Sequence, residues 1–109
     1  MAAKQVLNTH VTDIVRLYGK ELRDKGVQFT QLIVFGSQAK GTAKQWSDID
    51  VCVVSPAFGN NRHTERVGLM RARDDRLFDI EPHPYNPIDL ADKYDPLASE
   101  IRKYGIQVI

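Results

Sequence analysis

Only one cysteine, Cys52, occurs in the 109 residues. An internal disulfide is therefore excluded, and a reducing, cytoplasmic setting is the expectation. Long apolar runs are missing too. Nothing approaches the ~20 residues needed to span a bilayer, so no membrane association is expected. The opening stretch MAAKQVLNTH has no apolar core of the kind that marks a secretory leader. Charge of one sign is also lacking: 15 Lys and Arg stand against 14 Asp and Glu, a net charge of +1. Long-range attraction to nucleic acid is not written into that total, so nucleic acid stays an open partner without being indicated. No repeat, low-complexity tract or linker divides the chain, and its length suits a single domain, 1–109. That is enough for a modest core and too little for two lobes around a cleft.

What is present reads as alternating helix and strand. Val11, Ile14, Val15, Tyr18 and Leu22 recur at helical spacing, with Asp13, Arg16, Lys20 and Arg23 on the other face. A helix is expected over about 8–25, ended by Gly26. QLIVF, rich in β-branched and aromatic residues and stopped by Gly36, predicts a buried strand. The small polar run from Ser37 onward allows a single helical turn ending at Gly41. SDIDVCVVS predicts a second strand, and 56–63 a loop. A weakly amphipathic helix is expected over 64–76, then a strand in LFDIEPHP cut short by Pro82 and Pro84. Asn86-Pro87 and Asp95-Pro96 each place a cap residue before a proline at the first helical position. Gly105 stops the second of these helices and leaves IQVI as a last strand. The fold class is α/β (α+β): a small mixed sheet with helices mainly on one face.

Asp48 and Asp50 are two apart in the second predicted strand, so their carboxylates share one face while Ile49, Val51 and Val53 enter the core. Paired carboxylates repel unless a cation sits between them. Mg²⁺ (or Mn²⁺) suits such oxygen ligands and completes its shell with water and phosphates. Gly36-Ser37 supplies a complementary half. A glycine at a strand end lets phosphate approach the backbone, and the free N–H groups where Ser37 opens a helical turn bind phosphate oxygens. Lys40 and Lys44 lie close enough in sequence to neutralise a triphosphate, or are plain surface lysines. The loop is not a Walker A sequence.

Gly36-Ser37, ten residues, then Asp48-Ile49-Asp50 resembles the Gly-Ser-x10-Asp-x-Asp signature of the DNA polymerase β-like nucleotidyltransferases. The apolar strand before Gly36, AKGTA after Ser37 and SDIDVCVVS around the acids extend the resemblance over about residues 29–55. In size the chain is similar to minimal nucleotidyltransferases, often paired with a helical HEPN-type protein as antitoxin and toxin. The resemblance implies the polymerase β-like fold and ATP as substrate. It also implies a third carboxylate on a neighbouring strand. Asp79 and Glu81 both qualify; Glu81 is favoured because Ile-Glu-Pro-His-Pro resembles that strand in small members.

Blander readings stand beside these. Ser37 is also a fitting helix cap, and Cys52 a small buried residue. His83 either touches metal or nucleotide or is a loop hydrogen-bonder, and Trp46 either stacks a base or caps the core edge. Arg62, Arg66, Arg71, Arg73 and Arg76 form a solvated face or a grip for RNA or protein. The expected activity is Mg²⁺-dependent transfer of AMP from ATP to an acceptor hydroxyl. Asp48, Asp50 and Glu81 would be the catalytic and metal set, and Gly36, Ser37, Lys40 and Lys44 the nucleotide set. The alternative is an inactive nucleotide-binding module acting as an antitoxin by docking alone. Nothing after residue 90 is long enough to wall the site. The expected partner is therefore a HEPN-type protein or a second copy of the chain.

Overall fold

The computed structural model describes residues 7–109; most of the stretch read for a leader lies outside them. Helix α1, Thr9–Asp24, opens on Asn8, whose side chain accepts from the His10 N–H at 2.8 Å. Its buried residues Val11, Val15, Tyr18 and Leu22 follow the helical spacing of the sequence. Four strands follow: β1, Gln31–Phe35; β2, Ile49–Val54; β3, Ile80–Tyr85; and β4, Ile106–Gln107. They pair in the order β3-β2-β1-β4. β1 is antiparallel to β2 and β4, and β2 runs parallel to β3. The parallel pair is joined through α3, Arg62–Arg71, and a 3-10 turn, Asp75–Leu77. A four-residue α2, Ser37–Lys40, links β1 to β2, and α4, Pro87–Leu90, and α5, Pro96–Tyr104, precede β4.

The core lies mainly on one face of the sheet. Val11, Val15, Tyr18 and Leu22 of α1 meet Leu32 and Val34 of β1, Ile49, Val51 and Val53 of β2, and Leu69 of α3. The buried Tyr18 hydroxyl finds an acceptor in the Leu69 carbonyl at 2.7 Å. On the opposite face a smaller cluster joins Phe35, Cys52, Val54 and Tyr85 to Ala98 and Ile101 of α5. Among the described residues no helix is long and apolar enough to cross a membrane.

Two local expectations are corrected. α3 begins two residues earlier than its periodicity suggests and ends at Arg71. Asn61 caps it by accepting from the Thr64 N–H at 3.1 Å, while Glu65 accepts from the N–H groups of Gly59 and Asn60. The third strand is not cut short at its prolines but runs through Pro82 and Pro84 to Tyr85. β3 is an edge strand. Its parallel pairing to β2 uses alternate residues, as in the Ser55 N–H to Tyr85 carbonyl bond of 2.9 Å. Pro82 and Pro84 fall on the intervening positions, where a missing N–H breaks no ladder bond and protects the edge.

Candidate functional site

The junction of Gly36 with Asp50 organises this end of the sheet. The antiparallel register sets Phe35 opposite Asp50, so the chain leaves β1 beside that carboxylate. Gly36 has φ +70 and ψ −150, a region essentially reserved for glycine. A Cβ built there would collide with Asp50 Oδ2. Backbone conformation and space thus both demand glycine at this point. α2 then starts at Ser37 and closes at Gly41 in the left-handed conformation.

Asp48 is exposed and stands one residue before β2, not within it. Its loop is held by a turn in which the Lys44 N–H donates to Ser47 Oγ at 2.8 Å. Gln38 braces the same loop, its side-chain amide donating to the Ser47 carbonyl at 3.4 Å. Nothing in the sequence pattern singled out Gln38.

The parallel register sets Glu81 beside Asp50 and His83 beside Cys52, so Asp50, Cys52, Glu81 and His83 share one sheet face. His83 Nε2 lies 3.5 Å from Asp50 Oδ1, is shielded from solvent and has no hydrogen-bond partner. The imidazole packs edge-on against Phe35, with ring centroids 5.1 Å apart. Glu81 accepts from Arg66 Nη2 of α3 at 3.2 Å. The sequence placed Arg66 on a basic helix face; its pairing with Glu81 depends on how the crossover lands. Asp79, the other candidate, lies outside β3 and is exposed. It lines a cavity of about 350 Å³ between α1 and the loop before Asp48, with His10, Val11, Gln38, Lys44, Ser47 and Ile49.

The two lysines are differently engaged. Lys40 is ion-paired with Glu100 of α5 and lies over the Tyr104 ring. The hydrogen bond to Glu100 raises its pKa. Lys44 has its ammonium 5.9 Å from the ring centroid of Trp46, which is 79% exposed.

Among the described residues no three or more His, Cys, Asp and Glu side chains converge as a metal cage. The available donors are Asp48 and Asp50, with Glu81 held by Arg66. Asp50 beside Gly36, with Asp48 two residues before it, fits a divalent ion whose remaining ligands are water and phosphate, as is usual for Mg²⁺. The buried thiol of Cys52 is pushed up to about 12 by burial, which keeps it protonated and suits a packing residue.

Comparisons with known proteins bear on the family and the fold. The profile of the nucleotidyltransferase domain family matches residues 15–106. No curated protein matches significantly. Among solved structures, a candidate nucleotidyltransferase from Sulfolobus solfataricus superposes with a TM-score of 0.64 at 15% identity, covering 91% of this chain and 79% of that one. A toxin–antitoxin crystallised with AMP-PNP gives a TM-score of 0.56 at 23% identity, over 90% of this chain and 72% of that one. A mutant of the MntA–HpeT toxin–antitoxin gives 0.55 at 22%, over 86% and 71%. At these identities the structural likeness is one of fold. The family match runs from the middle of α1 into β4 and takes in the whole Gly36–Asp50 junction, and by it this chain belongs to the nucleotidyltransferase domain family.

Proposed function

We propose that the chain, acting as one domain, transfers AMP from ATP to an acceptor hydroxyl with the help of Mg²⁺. The observation that carries this reading is the Gly36–Asp50 contact: a Gly-only backbone bend is seated on the carboxylate of the Asp-x-Asp pair. Asp48 and Asp50 would hold the metal, with Glu81 as third ligand once it leaves Arg66; the metal when bound supplies charge neutralisation at the phosphates. Gly36 and Ser37 would receive the triphosphate along the exposed backbone. Lys44 stands on the loop leading to Asp48 and would add positive charge, whereas Lys40 would first have to leave Glu100. In the transfer the acceptor oxygen bonds to the α-phosphorus, the bond from that phosphorus to the bridging oxygen breaks, and pyrophosphate departs. The hydroxyl proton passes to Glu81, the strand neighbour of Asp50. Catalysis of this kind is mostly positioning and electrostatic stabilisation.

The toxin–antitoxin neighbours support a protein acceptor; by the resemblance in sequence it would be of the helical HEPN type, with a second copy of the chain as the other source. One observation favours a non-enzymatic reading, a nucleotide-binding module that neutralises a partner by docking: Glu81 is paired with Arg66 and is not free beside Asp50. Labelled ATP and Mg²⁺, with and without the neighbouring gene product, followed by intact mass of both proteins, separates the two. AMP units gained by the neighbour, and lost with Asp48→Asn or Asp50→Asn, are expected. A neighbour that binds tightly but gains no mass supports the docking module. Both variants are expected to stay folded, because each removes like-charge repulsion in the metal-free protein. A large fall in their metal-free Tm would mark the acids as structural instead.

A further inference from the structure

We propose that Arg66 is a nucleotide-phosphate ligand, stored on Glu81 in the nucleotide-free protein and transferred to the triphosphate once Glu81 turns to the metal; this rests on the nucleotide site proposed above. Arg66 projects from α3 and donates through Nη2 to Glu81 Oε2 at 3.2 Å. Glu81 is the register neighbour of Asp50, so the guanidinium stands at the acid ridge of the candidate site. The contact is a single bond from a group shaped to make two parallel ones. Its Nε, shielded from solvent, has no acceptor. A shielded donor without an acceptor is unfavourable, so this resting position leaves part of the hydrogen-bonding capacity of the guanidinium unused. A helix-to-strand ion pair serving only to tie α3 to β3 gives no reason for that.

Lys44 apart, the arginines and lysines described around the site have partners elsewhere. Arg73 donates to the carbonyls of Met70, Phe78 and Ile80. Arg76 pairs with Asp74 and Lys40 with Glu100. Arg62 lies over the Tyr85 ring, 4.5 Å from its centroid. Among the described residues Arg66 is the one that pairs with an acid of the site and keeps an unused donor. When the carboxylate of Glu81 is neutralised by a divalent ion, its hold on Arg66 weakens. The arriving triphosphate brings acceptor oxygens of the geometry a guanidinium binds best.

The test uses Mn²⁺ alone, and inorganic tripolyphosphate with Mg²⁺, as titrants in calorimetry against wild type, Arg66→Gln and Arg66→Lys. Circular dichroism melts confirm that each is folded. Arg66→Gln is expected to weaken tripolyphosphate about tenfold or more, the effect of losing a charge-assisted hydrogen bond. The same variant should bind Mn²⁺ more tightly, because a competitor for Glu81 is gone. Arg66→Lys keeps the charge and loses the fork, so it should fall between. If wild type and Arg66→Gln bind tripolyphosphate equally, the inference is overturned while the nucleotide site stands. If wild type binds neither titrant better than Asp50→Asn does, the site itself falls and the inference with it.

Discussion

Gly36 is constrained twice, and the two constraints can be separated. Its φ of +70 with ψ −150 strains any other residue, at a cost of about 1–3 kcal/mol. Its Cα also seats the Asp50 carboxylate. Gly26 offers a matched control: its φ is +79, but a side chain there would meet nothing within 4 Å. Gly36→Ala should therefore lower Tm and also abolish nucleotide binding, whereas Gly26→Ala should lower Tm alone. Melts and ATP titration of the pair check this, and equal ATP affinity in both variants would detach Gly36 from the site. The third-acid question belongs to the same scale. Glu81 is beside Asp50 in register, while Asp79 precedes the strand and faces the cavity between α1 and the loop before Asp48. Glu81→Gln should reduce transfer by about a hundredfold or more, the range for loss of a general base, with ATP affinity less affected. Asp79→Asn should leave the rate nearly unchanged. A reversed order in single-turnover rates would move the role to Asp79.

Among the elements, what was legible in the sequence was what local signals write. α1 carries its apolar spacing, its Asn8 cap and its Gly26 stop within one stretch, and its observed bounds are Thr9–Asp24. The Asn86 and Asp95 caps behave likewise, each accepting from N–H groups at the helix start. α3 was misjudged because its start is set by Asn61 and by Glu65 reaching back into a loop that reads as merely polar. β3 was misjudged because only sheet order reveals that its prolines face a free edge. The Gly36–Asp50 contact was half legible: the spacing names both residues, but register brings them together. The Arg66–Glu81 pair was not legible, since it depends on where a crossover helix comes to rest. The two buried clusters also make a pH prediction. Burial raises the Cys52 pKa to about 12 and raises that of Tyr18 in the same direction. Both groups hold protons more tightly folded than unfolded, so their contribution is complete below the unfolded thiol range, roughly pH 8.5. It is lost as pH rises toward 12. Tm should fall from pH 8 to pH 10.5, and Cys52→Ala should flatten that slope while lowering stability at pH 8. A Tm independent of pH over this interval would contradict the packing account.

At the scale of the whole molecule the governing fact is shape. The fold is a slab of 37 × 34 × 20 Å, and the residues of the candidate site lie at one end of its sheet, with Asp48 exposed. Transfer needs the acceptor held in line with the α-phosphate and water kept from competing. Asp50 and Glu81 would line one wall of such a site, and a slab of this thickness offers no second wall. Trp46, two residues before Asp48, is 79% exposed. Large aromatics left in water beside a site are what a protein partner covers. The chain is therefore expected to form a stable complex, with a small helical HEPN-type protein first and a second copy of itself otherwise. Size-exclusion chromatography with light scattering, on the chain alone and co-expressed with its genomic neighbour, measures this directly. The mass should exceed that of one 12.4 kDa chain in at least one of the two samples. Trp46→Ala should weaken the complex if the aromatic edge is where the partner sits, while leaving the fold intact because the indole is exposed. A strict monomer at high concentration that ignores its neighbour, yet transfers AMP efficiently to a free small molecule or RNA, would show that this slab closes its site without help.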